Sequence, residues 1–507
     1  MFRIVLAAIV LLGLPATASA KWREASTDHF VIYSDQSERQ LRDFAEMLEA
    51  YHSAMEYILS IETGAISPSN RVTIYVPGSD RAVRKLYGDT SSNVAGFYSS
   101  RAGGSVAFVP RLESGSRREL SSSEIVLLHE YAHHFMYSNY GTSVPLWLSE
   151  GFAEFYASAN FDLDGSVWIG RPALHRGYEL LRMQDVPLEL LLDTEAYAKR
   201  EGSRRYDSFY GRSWLLFHYL TMAMFDPESG RANQMEAYQR NLLLGQEAME
   251  AARNAFGDLD RLEKDLDNYL NRRRMTAFKL PASSISVGPI AITTLSDGAE
   301  EAMATHIRSR RGVTSEQAAA ILSDIRPLGE AYPDDPFVQA TLAEAEFDAG
   351  HDDLAIAAAD RALAVDPTSM NAHVQKIYAL FRTAENAEPA DRTARWDDVL
   401  AAITAANRIE NDHPIPLIYY YRMFAAQGRP ASSLAIEGLE QALYLAPYDA
   451  DLRLNVAQQQ VVDRRYSEAR KTAARLLLDP HKTGIAEIAS QLMDEIEGRN
   501  DADRPVD

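Results

Sequence analysis

The chain contains no cysteine in 507 residues. Disulfides are therefore excluded, and with them thiolate zinc sites, cysteine nucleophiles and a lipid anchor on cysteine. Long apolar runs are almost as scarce. Only residues 4–14 form one, which is too short to span a bilayer, and nothing later approaches about eighteen uninterrupted apolar residues, so no membrane helix is expected. Basic residues are outnumbered, with 51 Lys and Arg against 72 Asp and Glu, for a formal charge of −21. Such a balance repels phosphate backbones and anionic lipid surfaces, which argues against nucleic acid and polyanionic substrates.

What the first twenty residues do contain is the pattern of a targeting signal. Arg3 supplies the positive end, residues 4–14 the apolar stretch, and Ala18-Ser19-Ala20 a small-residue cleavage site. The mature chain is expected to begin at Lys21, and losing Arg3 takes its charge to −22. An uncleaved signal anchor is the alternative. An exported chain without cysteine suits a bacterial periplasm, where a stray thiol would be oxidised, with secretion beyond it as the alternative. At this length two to four domains are expected.

The most informative stretch is residues 125–156. It contains His129, Glu130, Tyr131, Ala132 and His133, a HExxH pattern whose chance expectation in a chain of this composition is roughly 0.02. On a helix, positions four apart lie one turn along and about 40° around the axis, so two imidazoles can converge on one cation. Ile125, Val126, Leu127, Leu128, Ala132 and Phe135 make the flanking turns apolar, as expected of a helix buried behind an active site. Sixteen residues separate His133 from Glu150, which offers a third ligand and leaves the fourth position of a catalytic Zn2+ for water or substrate. Glu130 falls beside the two imidazoles, within reach of that water. Glu154, one turn after Glu150, is expected to orient a histidine from outside the ligand set, with direct ligation as the competing assignment. The other reading of the motif is a buried helix whose histidines are satisfied by hydrogen bonds.

Around this helix, the pattern predicts strands at 30–33 and 71–76, an amphipathic helix over 38–59 and a helix over 79–87. It also predicts an extended segment at 105–110, an apolar helix over 206–224 and charged helices over 242–270. Strands first and helices afterwards give an α+β arrangement, a small sheet beside the metal helix. Residues 106–109 could be the sheet edge on which an extended peptide pairs, or an ordinary internal strand. His134 points about 100° away from His133 and is read as packing, and His175 and His218 as structural.

The composition changes near residue 280. Pro281, Ser283, Ser284, Ser286, Gly288 and Pro289 mark a linker over 281–312, after a metal-binding domain spanning 21–280. A helical half follows over 313–498, with prolines at Pro333, Pro367, Pro414, Pro447 and Pro480. The intervals are 34, 47, 33 and 33, and three of them match a tetratricopeptide (TPR) helix hairpin, the longer one carrying a charged insertion around 383–395. One hairpin cannot bury its apolar face, so stacked neighbours are expected to form a curved superhelix with a concave face. Residues 499–507 are expected to be a disordered tail.

The chain resembles the gluzincin metallopeptidases, in particular the peptidase-MA-like bacterial group that joins such a domain to TPR repeats. The resemblance rests on HEYAH at 129–133, PLWLSEGFAEF at 145–155, HFVIYSD at 29–35 and FGDLDRLEKDLDNYL at 256–270. It implies a thermolysin-like zincin fold, His129, His133 and Glu150 as zinc ligands, and Glu130 as general base. It also implies a downstream tyrosine at the oxyanion, for which Tyr210 is the candidate and Tyr206 the next choice. The chain departs from the aminopeptidase relatives in a shorter His133-to-Glu150 spacing and in lacking their Gly-x-Met-x-Asn strand motif near 105–110. Cutting within chains, or narrow processing, is therefore expected over trimming of amino termini.

Two functions are carried forward. One is an exported zinc peptidase whose repeats recruit a peptide or protein substrate or a protein partner. The other is an exported binding scaffold with a vestigial peptidase domain. Hydrolysis of a non-peptide amide, such as a cell-wall cross-link, uses the same chemistry.

Overall fold

The computed structural model of the protein describes residues 21–64, 66–91, 94–112, 119–140, 144–199, 207–226, 229–478 and 483–502. The expected targeting signal at 1–20 and Tyr206 lie outside them. The strands are β1 (Arg23–Ser26), β2 (Phe30–Ser34), β3 (Val72–Val76), β4 (Phe97–Ser99), β5 (Val106–Phe108), β6 (Asn160–Phe161), β7 (Val167–Ile169), β8 (Phe278–Leu280) and β9 (Ala291–Thr294). Before the helical half come α1 (Glu38–Leu59), α2 (Asp80–Tyr87), α3 (Ser122–Asn139), α4 (Leu146–Ala157), α5 (Gly177–Arg182), α6 (Leu188–Leu192) and α7 (Thr194–Lys199). These are followed by α8 (Phe209–Ala223), α9 (Gln234–Leu243), α10 (Ala248–Phe256) and α11 (Leu259–Leu270).

β-branched and aromatic residues make β2 and β3 good strand formers, and they pair in parallel with Phe30 opposite Val72. They sit inside a six-stranded sheet of order β4-β5-β3-β2-β1-β9, in which β3 and β5 are also parallel and the remaining pairs antiparallel. Side chains alternate across the sheet. Phe30, Ile32, Ile74, Val76 and Ala107 face a core shared with Leu41, Phe44, Leu48 and Tyr51 of α1 and with Leu128, Ala132 and Phe135 of α3. Tyr75, Val106 and Phe108 face the other way, onto Met303 and Ile307. A second sheet, β6-β7-β8, joins the main core through Phe161, Val167, Ile169 and Leu280.

Residues 106–109, considered as a sheet edge, are internal: β5 lies between β3 and β4, and the edge on that side is β4, with β9 at the other. The reason is the hairpin of β4 and β5, which places Phe97 opposite Phe108. The stretch 281–312 is not a linker. β9 pairs with β1, with Arg23 opposite Thr294, and Met303 and Ile307 of α12 (Asp297–Arg310) cover the second face of the sheet. Prolines and serines at 281–289 mark only a short passage before structure resumes.

The helical half therefore starts at α12 and not near residue 313. It continues through α13 (Ser315–Ala331), α14 (Pro336–Asp348), α15 (Asp352–Val365), α16 (Met370–Glu385), α17 (Arg392–Ile409) and α18 (Pro414–Ala426). The last helices are α19 (Ser433–Leu445), α20 (Ala450–Val462), α21 (Tyr466–Ala474) and α22 (Thr483–Ala502). The tail expected from residue 499 is helical as far as Ala502, where α22 ends, and residues 503–507 lie outside the described residues. Pro333, Pro367 and Pro447 stand just before α14, α16 and α20, and Pro414 opens α18 at a position where its missing N–H costs nothing. Each helix packs on its sequence neighbours, and the even-numbered ones also pack on one another: α12 on α14, α14 on α16, α16 on α18, α20 on α22. These are helix pairs stacked into an array with an inner, even-numbered layer.

That inner side is occupied by the chain's own first half. Tyr75 lies 3.0 Å from His306 Nε2, Arg101 donates to the carbonyl of Arg310 at 2.7 Å, and the backbone N–H of Ala102 donates to Asp449 at 2.6 Å. Glu410, after α17, accepts from Ser67 Oγ at 2.7 Å and from the N–H and Oγ of Ser69 at 3.0 and 2.9 Å. Among the described residues no helix is long and apolar enough to cross a membrane.

Candidate metal centre

Ser121 opens α3 with a capping box closed by Glu124, which fixes where the helix starts and so which residues face inward. Tyr51 of α1 donates to the carbonyl of Leu128 at 3.1 Å, and Tyr131 meets His52 Nδ1 at 2.7 Å, so α3 is gripped along its core side. α4 packs on α3 and is pressed from behind by α8. Gly151 permits that closeness: a Cβ there would stand 2.5 Å from the carbonyl oxygen of Ser213.

This arrangement brings His129, His133 and Glu150 together. Nε2 of His133 is 3.2 Å from Nε2 of His129, and Glu150 Oε2 is 3.4 Å from Nε2 of His129 and 3.5 Å from Nε2 of His133. A tetrahedral zinc with N and O ligands at about 2.0–2.1 Å sets its donors about 3.3 Å apart. The triangle therefore fits that ion. Both oxygens of Glu150 are buried without a hydrogen-bond partner, an arrangement that is costly for a carboxylate unless a cation completes it. Two nitrogen donors and one carboxylate also suit zinc better than the all-oxygen set of calcium or magnesium.

The second nitrogen of each ring is held in place. Ser149 Oγ lies 3.2 Å from His133 Nδ1, and Tyr137 stacks on the His133 ring at 5.9 Å, 12° from parallel. Glu154 Oε1 stands 3.0 Å from His129 Nδ1, close enough for an ion pair but too oblique for a hydrogen bond. Glu154 thus stands against His129 and is not one of the three converging groups. Burial would push His129 down, yet Glu154 and Glu150 outweigh it and hold the ring at about 10. Against the same burial, His133 and His129 hold Glu150 far below the usual carboxylate range. Two buried carboxylates beside one imidazole demand positive charge there, which a proton or a divalent cation can supply.

Glu130 stands partly exposed on α3 next to His129. Glu130 lies one turn before His134 on α3, and His134 meets Tyr98 of β4, so Glu130 is on the face of α3 turned toward β4. Tyr210 occupies the first turn of α8 with its ring 6.4 Å from that of His129, and burial and Glu150 raise its phenol strongly. His134 is packing, as expected, with Nδ1 2.6 Å from Tyr98 Oη and its ring 4.5 Å from Tyr448. His218 is structural too, meeting the carbonyl of Gly170 at 2.8 Å and Tyr269 at 2.9 Å. His175 differs from its reading as merely structural. Its Nε2 lies 2.7 Å from Glu154 Oε2, and Arg176 donates to Glu154 Oε1 at 2.5 Å. Neither Ser149, Tyr137 nor Arg176 was legible as part of the site, because none carries ligand spacing.

No protein-family model matches the chain. No curated protein matches it either. Among solved structures it is similar to TTC0263, a thermophilic TPR protein in Thermus thermophilus, at 18% identity over 35% of this chain and 91% of that one, with a TM-score of 0.31. It is also similar to the MamA RS-1 ArsTM double mutant, at 16% identity over 41% of this chain and 100% of that one, TM-score 0.26. A further structure of MamA matches at 11% identity over 41% of this chain and 98% of that one, TM-score 0.25. Likenesses at this level assign no function to the chain.

Proposed function

We propose that the protein is an exported zinc-dependent metallopeptidase of gluzincin type, hydrolysing amide bonds in peptides or proteins. The observation that carries this reading is the triangle of His129, His133 and Glu150, whose edges of 3.2, 3.4 and 3.5 Å match tetrahedral zinc around a carboxylate with no other partner. When bound, the ion supplies Lewis acidity, polarising a carbonyl and lowering the pKa of a ligated water to about 7. Glu130 takes the proton of the attacking water and passes it to the leaving amine. Tyr210 donates its hydroxyl proton in a hydrogen bond to the oxyanion that develops, and a phenol kept protonated by burial is suited to that. The unpaired side of β4, next to Glu130, gives an extended substrate a strand to pair with.

We read the helical array as TPR-like, on its proline spacing and its inner layer of even-numbered helices. Because that layer lies against the first half, it acts as a buttress for the sheet and for α3. A protein partner would then use the outer helices, where Leu354, Leu400, Leu434 and Tyr444 stand exposed. Those exposed residues are also what favours the second reading, an exported scaffold with an idle metal centre. The two separate on Glu130→Gln. A peptidase loses turnover of a peptide library by about 100-fold or more while keeping its zinc, whereas a scaffold shows no turnover in either form.

A further inference from the structure

Among the described residues, Arg176 is the one cation that touches both the outer carboxylate of the metal centre and the tyrosine placed at the oxyanion. It sits on a single 3-10 turn, Leu174–Arg176, that leads into α5. One arm donates to Glu154 Oε1 at 2.5 Å, and that same oxygen stands 3.0 Å from His129 Nδ1. The other arm donates to Glu179 Oε1 at 2.7 Å, while Glu179 Oε2 accepts the backbone N–H of Gly211 at 3.2 Å. Gly211 follows Tyr210 in the first turn of α8, and the guanidinium carbon lies 4.8 Å from the centre of the Tyr210 ring. His175 closes the arrangement by binding the second oxygen of Glu154 at 2.7 Å.

We propose that Arg176 is a positioning residue that sets His129 and Tyr210 together, so that the ligand ring and the hydroxyl donor keep one fixed relation. This rests on the zinc reading given above. The argument is one of geometry. A planar guanidinium can hold two carboxylates at once in fixed directions and still lie over an aromatic face, which a lysine ammonium cannot. Among the described residues no backbone N–H donates to the Glu154 carboxylate, so its orientation toward His129 depends on Arg176 and His175. Loss of such an outer partner costs metal affinity even where the ligands are untouched. Tyr210, on an adjacent helix, would lose its ring contact and the anchor at Gly211 in the same change.

The test uses the full mature chain, with Arg176→Met, Arg176→Lys and Glu154→Gln compared with wild type. Zinc affinity is read by competition with a chromophoric chelator, and the visible spectrum of the cobalt-loaded protein reports the His129 environment. Arg176→Met is expected to weaken zinc about tenfold or more, shift the cobalt spectrum and lower kcat with little change in KM. Arg176→Lys is expected to restore folding stability and only part of the affinity. Combined with Glu154→Gln, Arg176→Met should add little to the zinc loss, since both act through one carboxylate. A folded Arg176→Met or Arg176→Lys with wild-type affinity, spectrum and kcat would overturn the proposal and leave the zinc reading standing. A wild type that binds no zinc would overturn both.

Discussion

The ring of Tyr448, from the helical half, lies 4.5 Å from that of His134, the residue immediately after a candidate zinc ligand. Nearby, Arg475 stands over Tyr137 at 5.9 Å and donates to the carbonyl of Tyr140. The array that begins on the back of the sheet at α12 thus returns to the C-terminal end of α3. Tyr137 is the ring stacked on His133, so the last helices are two contacts from the candidate metal centre. Disturbing the seam between the halves should therefore reach the site.

Gly103 gives the sharpest probe of that seam. It has φ of +81°, and a Cβ there would stand 2.6 Å from Ile415. Gly103→Val should cost about 2 kcal/mol or more through backbone strain and the displaced contact, visible as a lower urea midpoint and faster proteolysis between the halves. Unchanged stability would mean that the β4–β5 turn is not held by α18.

Ser149 offers a milder test beside the proposed ligands. It is the partner of His133 Nδ1 at 3.2 Å, so Ser149→Ala should leave the fold intact and weaken zinc about tenfold. Equal affinity, measured by chelator competition, would remove Ser149 from the account.

Zinc should also stabilise the fold. At about 100 times its dissociation constant, an ion bound only to the folded state contributes about 2.7 kcal/mol. Chelation is expected to lower the Tm of wild type by several degrees and to leave Glu150→Ala unmoved. An equal shift in both would place the ion elsewhere.

Acid should loosen the seam. Burial, with Arg310 and Arg101, lowers His306 from 6.5 to about 3. Between those values the unfolded chain binds a proton that the folded chain refuses. The contribution of this ring to stability is therefore full above pH 6.5 and falls as the pH drops toward 3, by up to about 1.4 kcal/mol per pH unit. Urea midpoints between about pH 7.5 and 5 should show this slope, and His306→Gln should reduce it by one proton. An identical profile in wild type and His306→Gln would contradict the burial of this ring in the folded protein.

Much of the centre could be read in the sequence because helix geometry is local. His129 and His133 are four apart on one helix, and Glu150 follows at ligand spacing, so their convergence needed little knowledge of the fold. Arg176 and His175 reach Glu154 from a turn, and no periodicity ties a turn to a helix more than twenty residues earlier. The same limit explains β9. As an edge strand it shows largely exposed residues, Ala291, Thr293 and Thr294, and so lacks the run of large apolar residues that marked β2 and β3. α12 was missed because it follows a proline- and serine-rich passage, although its buried face of Ala302, Met303, Thr305, His306 and Ile307 is the cover of the sheet.

The most direct measurement is metal content per chain, by elemental analysis of the purified mature protein after equilibration with zinc and removal of free ion. The account predicts about one zinc in wild type and in Glu130→Gln, and close to none in His129→Ala, His133→Ala or Glu150→Ala. A wild type without zinc, or ligand variants that hold as much as wild type, would contradict it.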